Sequence, residues 1–212
     1  MSLNLQQIIY QNIERYSVFN LSVLNSYFES TFEPHYPKDV IFFINRLFLD
    51  LLQVKIICGS DNSMILTETK WNNEVYVWGR NNNGQLGLGD SKNRNTPCKF
   101  HFPAEQGIIK EVSFGSAHSI ALTDSNEIYS WGANAYGQLG LGIVGSLTTP
   151  HKLTFPVDVG NINMIACGGN HTMVLIHKNE VYSCGSDTSG QLGFSDIGNL
   201  NTPHKIPGIF FA

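Results

Sequence analysis

Charge is scarce in this chain. Asp, Glu, Lys and Arg together make up 14% of 212 residues. The 13 Lys and Arg are scattered and the net charge is −4, so the clustered cations that a phosphate backbone demands are missing. No nucleic-acid partner is expected. Cysteine is sparse as well. Cys58, Cys98, Cys167 and Cys184 form no C-x-x-C pair, which excludes a zinc knuckle. They are expected to be small, buried apolar residues in a reducing compartment. No metal site and no other cofactor is predicted. Long hydrophobic runs are absent too. The most apolar stretch, Val40–Leu52, is 13 residues long and carries Asn45, Arg46 and Asp50, too short and too polar to span a bilayer. The N-terminus lacks a charged segment followed by an apolar run, so a cleaved secretory signal is not expected. The C-terminal IFFA offers no cysteine for prenylation. No membrane anchor is expected, and the expected location is the cytoplasm or nucleus, including that of a host cell into which the protein is delivered. A G-x-S-x-G nucleophile turn and a paired acid and base are also missing, so no catalytic residue is predicted and small-molecule catalysis is not expected.

What the sequence does contain is a repeat. VYVWGRNNNGQLGLGD (75–90) recurs as IYSWGANAYGQLGLGI (128–143) and as VYSCGSDTSGQLGFSD (181–196). Gln85, Gln138 and Gln191 are 53 residues apart, and Trp78, Trp131 and Cys184 keep the same interval. So do Thr96-Pro97, Thr149-Pro150 and Thr202-Pro203. A second block, FGSAHSIAL (114–122), recurs 53 residues on as CGGNHTMVL (167–175). CGSDNSMIL (58–66) precedes it by 56, so the first unit carries three extra residues, in TETKWNN (67–73). Short β-branched and aromatic runs bounded by Gly, Asn, Asp or Pro read as strands. In the second unit these are Ile108–Phe114, His118–Thr123, Glu127–Trp131 and His151–Phe155. Four strands in about fifty residues is the size of a propeller blade.

The G-x-x-G-x-G spacing of NNNGQLGLGD raises the alternative of a phosphate cradle. That reading requires a helix after the glycines. LGLGDSKNRNTP has no helical period and ends in Thr-Pro. The loop also occurs three times at one period, and one nucleotide needs one site. Gly84, Gln85, Gly87, Gly137, Gln138, Gly140, Gly190, Gln191 and Gly193, with Trp78 and Trp131, are therefore read as structural.

The pattern V-Y-x-W-G-x-N-x-x-G-Q-L-G-x-G, then T-P, then G-x-x-H-S-x-A-L resembles the repeat of the regulator of chromosome condensation family, over roughly residues 54–209. The resemblance implies a mainly β fold, a propeller of four-stranded blades. Members of that family close a ring of about seven blades. The units here, about 54–107, 108–160 and 161–212, make an open, partial propeller of about three blades. Such an array is capped, self-associates through its open blade edges, or belongs to a longer protein. Residues 1–53 lie outside the repeat. Their apolar spacing predicts an N-terminal α-helical cap, with Pro37 at the first turn of a second helix over Lys38–Gln53. YPKDVIFFINRLFLDLL also faintly resembles the start of an F-box.

The resemblance further implies a function. In the family's exchange factor, polar and acidic residues of the G-x-x-H turn face the small GTPase Ran. The matching positions here are Asp61, Ala117 and Asn170, each followed by Asn62, His118 or His171. The repeated histidine has a simpler reading, a hydrogen-bonding strut. A second binding candidate is the longer loop of the first unit, with Lys70 and Trp71. The expectation is a protein-interaction module that binds a small GTPase and promotes guanine-nucleotide exchange. The alternatives are a non-catalytic scaffold, a host-mimicking effector among them, and chromatin binding, against which the net charge counts.

Overall fold

The computed structural model describes residues 53–68, 73–155, 157, 159–177, 179–195 and 198–208. One compact unit comprises Lys55–Leu66 and Glu74–Ala212. The other comprises Met1–Val54 and Thr67–Asn73. Most of that second unit lies outside the described residues, and with it the expected helical cap and the candidates Lys70 and Trp71. Gln53, the expected last residue of the second helix, instead opens a strand.

Three four-stranded antiparallel sheets follow one another along the chain. The first holds β1 (Gln53–Cys58), β2 (Asn62–Glu68), β3 (Asn73–Gly79) and β4 (Arg94–Phe100). The second holds β5 (Ile109–Phe114), β6 (His118–Thr123), β7 (Ile128–Gly132) and β8 (Leu147–Leu153). The third holds β9 (Ile162–Cys167), β10 (His171–Ile176), β11 (Val181–Gly185) and β12 (Leu200–Lys205). In each sheet the spatial order is the chain order, as in a propeller blade. The fourth strand corrects the sequence reading, which placed it at His151–Phe155. β8 starts at Leu147 and includes Thr149-Pro150, as β4 includes Thr96-Pro97 and β12 includes Thr202-Pro203. Proline removes a backbone donor, and an edge strand tolerates that loss. All three pairs lie on an edge strand.

The two main clusters of buried apolar residues among the described residues are each shared between neighbouring blades. Met64, Leu66, Val75 and Val77 of the first blade pack with Val112, Ala121, Tyr129 and Trp131 of the second. Ile120, Leu122, Ile128 and Leu153 of the second pack with Ile165, Val174 and Tyr182 of the third. The middle blade is covered on both faces, so every residue of β6 and β7 is buried. β10 carries the same repeat but alternates buried and half-buried residues, because one face of its blade lacks a neighbour among the described residues. The cysteines correct a second expectation: only Cys184 is buried, Cys98 and Cys167 are half-buried, and Cys58 is exposed.

The glycine loops join one blade to the next. Each loop is first closed by its own side chains. Asn81 Oδ1 accepts from Leu86 N, Asn134 Oδ1 from Leu139 N, and Asp187 Oδ1 from Leu192 N, all at 2.8–3.0 Å. The Gln85 backbone carbonyl then accepts from Ser119 Oγ at 2.7 Å and Trp131 Nε1 at 3.0 Å in the following blade. Gln138 repeats this with Thr172 Oγ1 at 2.7 Å and the Cys184 thiol at 3.8 Å. Gly137 shows why the loop needs glycine. Its φ is +83°, and an added Cβ would stand 2.4 Å from the Asn201 Cα of the next blade. Gly190 has φ +74° but nothing within 4 Å of such a Cβ. The pair separates two costs. In dilute solution, Gly190→Ala loses about 1–2 kcal/mol for the left-handed backbone alone. Gly137→Ala loses about 1–3 kcal/mol more, through overpacking against β12. Urea melts of both variants check this, and equal losses would refute the packing argument.

Candidate functional site

The turns between the first and second strands of each blade form the candidate surface. In all three, the glycine N–H donates to the carbonyl of the residue three positions on: Gly59 to Asn62, Gly115 to His118, Gly168 to His171, at 2.8–2.9 Å. The third residue of each turn is tied to the end of the third strand. Arg80 N donates to Asp61 O, Ala133 N to Ala117 O and Ser186 N to Asn170 O, each at 2.8 Å. Neighbouring turns are linked as well, Ser116 N to Gly169 O at 3.0 Å. The second and third blades thus present one continuous strip of turn.

The sequence candidates separate on this surface. Asp61 and Asn170 are exposed, and Ala117 is half-buried. Asp61 is not a free acid: its Oδ2 lies 3.2 Å from Arg80 Nη1. His118 is 1% exposed and Asn62 4%, which corrects their reading as surface contacts. His118 instead fulfils the strut reading. Its ring folds over Gly115, where an added Cβ would stand 2.2 Å from Cε1. Nε2 meets Thr172 Oγ1 of the next blade at 3.0 Å. Thr172 gives its own proton to the Gln138 carbonyl, so it accepts from His118, which must carry its proton on Nε2. Nδ1 is buried without a partner. Burial, with a smaller contribution from nearby His171, pushes this imidazole down to about 4, so it is neutral at physiological pH. Asn62, too short to copy the strut, leaves both amide atoms without a partner. His171 folds over Gly168 in the same way but stays half-buried, and burial lowers its pKa.

One kind of ion pair recurs in all three blades. Glu74–Lys99, Glu127–Lys152 and Glu180–Lys205 tie the beginning of the third strand, or the residue just before it, to the fourth strand. Arg94 and Lys99 line a shallow groove with Gly87, Gly89 and Thr149, but Asp90 and Glu74 hold both cations. Neither these pairs nor the hydroxyls of Ser119 and Thr172 were singled out in the sequence reading. Their recurrence at the 53-residue period was the signal available for them. The turn surface offers backbone edges, small polar side chains and one ion pair, a chemistry suited to docking a protein.

Comparison with known proteins agrees with the geometry. The profile of the regulator of chromosome condensation (RCC1) repeat matches residues 72–122 and 125–175. A second profile of the same repeat matches 54–85, 109–138 and 165–191. The chain is similar to the ultraviolet-B receptor UVR8 of Arabidopsis thaliana, 36% identical over 156 residues, 73% of this chain and 34% of the receptor. It is similar to the X-linked retinitis pigmentosa GTPase regulator of Mus musculus, 35% identical over 156 residues, 73% of this chain and 15% of that protein. The chain thus spans about a third or less of these relatives. Among solved structures it resembles Prp20p from Saccharomyces cerevisiae, described with its binding properties to Gsp1p and histones. The TM-score is 0.58 at 26% identity, covering 74% of this chain and 40% of that one.

Proposed function

The chain belongs to the regulator of chromosome condensation (RCC1) repeat family, and we propose that its blades dock a small GTPase of the Ran class and promote guanine-nucleotide exchange on it. The observation that carries this reading is the set of turns, a strip in the second and third blades with Ser116 and Asn170 exposed along it, and the Asp61–Arg80 pair in the turn of the first blade. Two similarities support it: Prp20p binds the GTPase Gsp1p, and the murine relative is a GTPase regulator. Exchange asks for no acid, base or metal from the chain. A surface that binds the nucleotide-free conformation more tightly than the loaded one shifts the population toward release.

Release of a fluorescent GDP analogue from a Ran-class GTPase, with the full chain at micromolar concentration, tests the proposal. The expected result is faster release, weakened about tenfold by the double substitution Asp61→Ala and Asn170→Ala, the loss of about 1.4 kcal/mol of binding. Unchanged release together with no binding would overturn it. One observation favours a second reading, a scaffold without exchange activity. Arg80 already holds the Asp61 carboxylate, and Ala117 offers no polar group at the middle position. Binding without faster release would select the scaffold.

A further inference from the structure

The outer faces of the first and third blades are the two halves of the junction that already joins the blades inside this chain. That junction has a donor side and an acceptor side. The donor side is a hydroxyl and an indole or thiol, from Ser119 and Trp131 or from Thr172 and Cys184. The acceptor side is the carbonyl of Gln85 or Gln138, and at the second junction the His118 strut as well. In the first blade the matching donors are Ser63 and Trp78. Among the described residues neither makes a side-chain hydrogen bond, and Trp78 is half-buried where Trp131 is fully buried. In the third blade the matching acceptors are the Gln191 carbonyl and the His171 ring, again without partners among the described residues.

The apolar contacts are halved in the same way. Ile56 is 71% exposed, while its counterparts Val112 and Ile165 are 8% and 3% exposed against the preceding blade. Tyr76 is half-buried, whereas Tyr129 and Tyr182 are buried. On the other side, Met173 and Leu175 are half-buried, whereas Ile120 and Leu122 are buried against the following blade. The open space at Gly190 is where its counterparts Gly84 and Gly137 meet the backbone of Thr148 and Asn201. The corresponding strand position in the first blade is Asn95.

We propose that a second copy of this chain docks head to tail, its Gln191 loop on Ser63, Trp78 and Asn95 of the first. The His171 ring then reaches the Ser63 hydroxyl, as His118 reaches Thr172. The occupant is a second copy because each half is the complement of the other within one sequence, and because both internal junctions use the same contact. Such a contact is heterologous, and it forms a ring when the rotation closes. Two copies with three blades each close through two such contacts, within the range of about four to eight blades that propellers adopt. This inference is independent of the GTPase reading, since Ile56 and Met173 lie within strands and not in the turns.

Sedimentation equilibrium of the full chain reads the result. The expected mass is twice that of the chain at micromolar concentration. Ile56→Glu, which spoils the donor face, and Met173→Glu, which spoils the acceptor face, are each expected to run as monomers. An equal mixture of the two is expected to recover a pair, because the sound tail of one still fits the sound head of the other. The mixture also shows that both variants are folded. A wild-type chain that stays monomeric overturns the proposal. So does mass that grows without limit, or a mixture that fails to pair.

Discussion

Trp131→Ala should lower the unfolding free energy by about 3–5 kcal/mol, the range for removing a large buried aromatic residue. Trp131 is fully buried in the first core and stacks on Phe100 with ring centroids 5.6 Å apart. Its indole N–H is one of two donors to the Gln85 carbonyl, so truncation removes area and a hydrogen bond together. Trp131→Phe keeps most of the area and deletes the donor. It should lose about 1–2 kcal/mol, because Ser119 still satisfies the carbonyl. Gly87 sets the shape of the site: a Cβ there would stand 2.9 Å from Trp131 Nε1. The indole therefore fits a gap in the preceding blade, and the alanine variant should loosen the seam between the first two blades before the seam between the second and third. Hydrogen exchange resolves that order. A loss under about 1 kcal/mol in a urea melt, or exchange that rises uniformly, would count against the seam as the unit of stability.

Acid should weaken the fold through His118 by about 3 kcal/mol between pH 6.5 and pH 4. The folded imidazole titrates near 4, whereas the unfolded one titrates near 6.5. Above pH 6.5 both states are neutral, and the contribution to stability is complete. As the pH falls below 6.5 the unfolded state takes up a proton that the folded state refuses, so stability declines until the folded ring also protonates near 4. His118→Asn, the residue that the first blade uses at this position, removes that slope. At pH 7 it should cost about 1–2 kcal/mol for the lost bond to Thr172. The deficit should then shrink and change sign as the pH approaches 4. Carboxylates such as Asp90 and Glu127, whose pKa values partner hydrogen bonds depress, add acid sensitivity to both proteins and cancel in the difference. Parallel wild-type and variant stability curves across this window would mean that His118 is not the group responsible.

Much of this architecture was legible in advance. β6 runs over His118–Thr123 as the pattern predicted, because a short β-branched run after a glycine turn has few other ways to fold. The three copies of G-Q-L-G marked the blades, and their φ values are positive throughout, which explains why glycine recurs there. β8 was harder. Thr-Pro reads as a boundary, and only an edge position allows the proline to lie inside the strand. The site was less legible than the fold. His118 sits beside Ala117 in the sequence, yet one is a buried strut and the other flanks the turn surface. A turn alternates inward and outward side chains without a period that a sequence pattern can display. The partner of His118 was equally hidden, since Thr172 lies 54 residues away in another blade.

Repetition along the chain was sufficient to establish the family, the approximate positions of the first three strands of a blade and the number of blades among the described residues. Those features depend on local patterns of apolar, glycine and turn residues, which each copy carries complete. Burial is different, because it belongs to a residue together with its neighbours. Trp78 and Trp131 occupy one place in the repeat, as do Ile56 and Val112, or Gly137 and Gly190. Each pair differs in its surroundings because one member has an adjoining blade among the described residues and the other does not. The packing of blade on blade therefore turns equivalent residues into core at one position and into open, complementary faces at another.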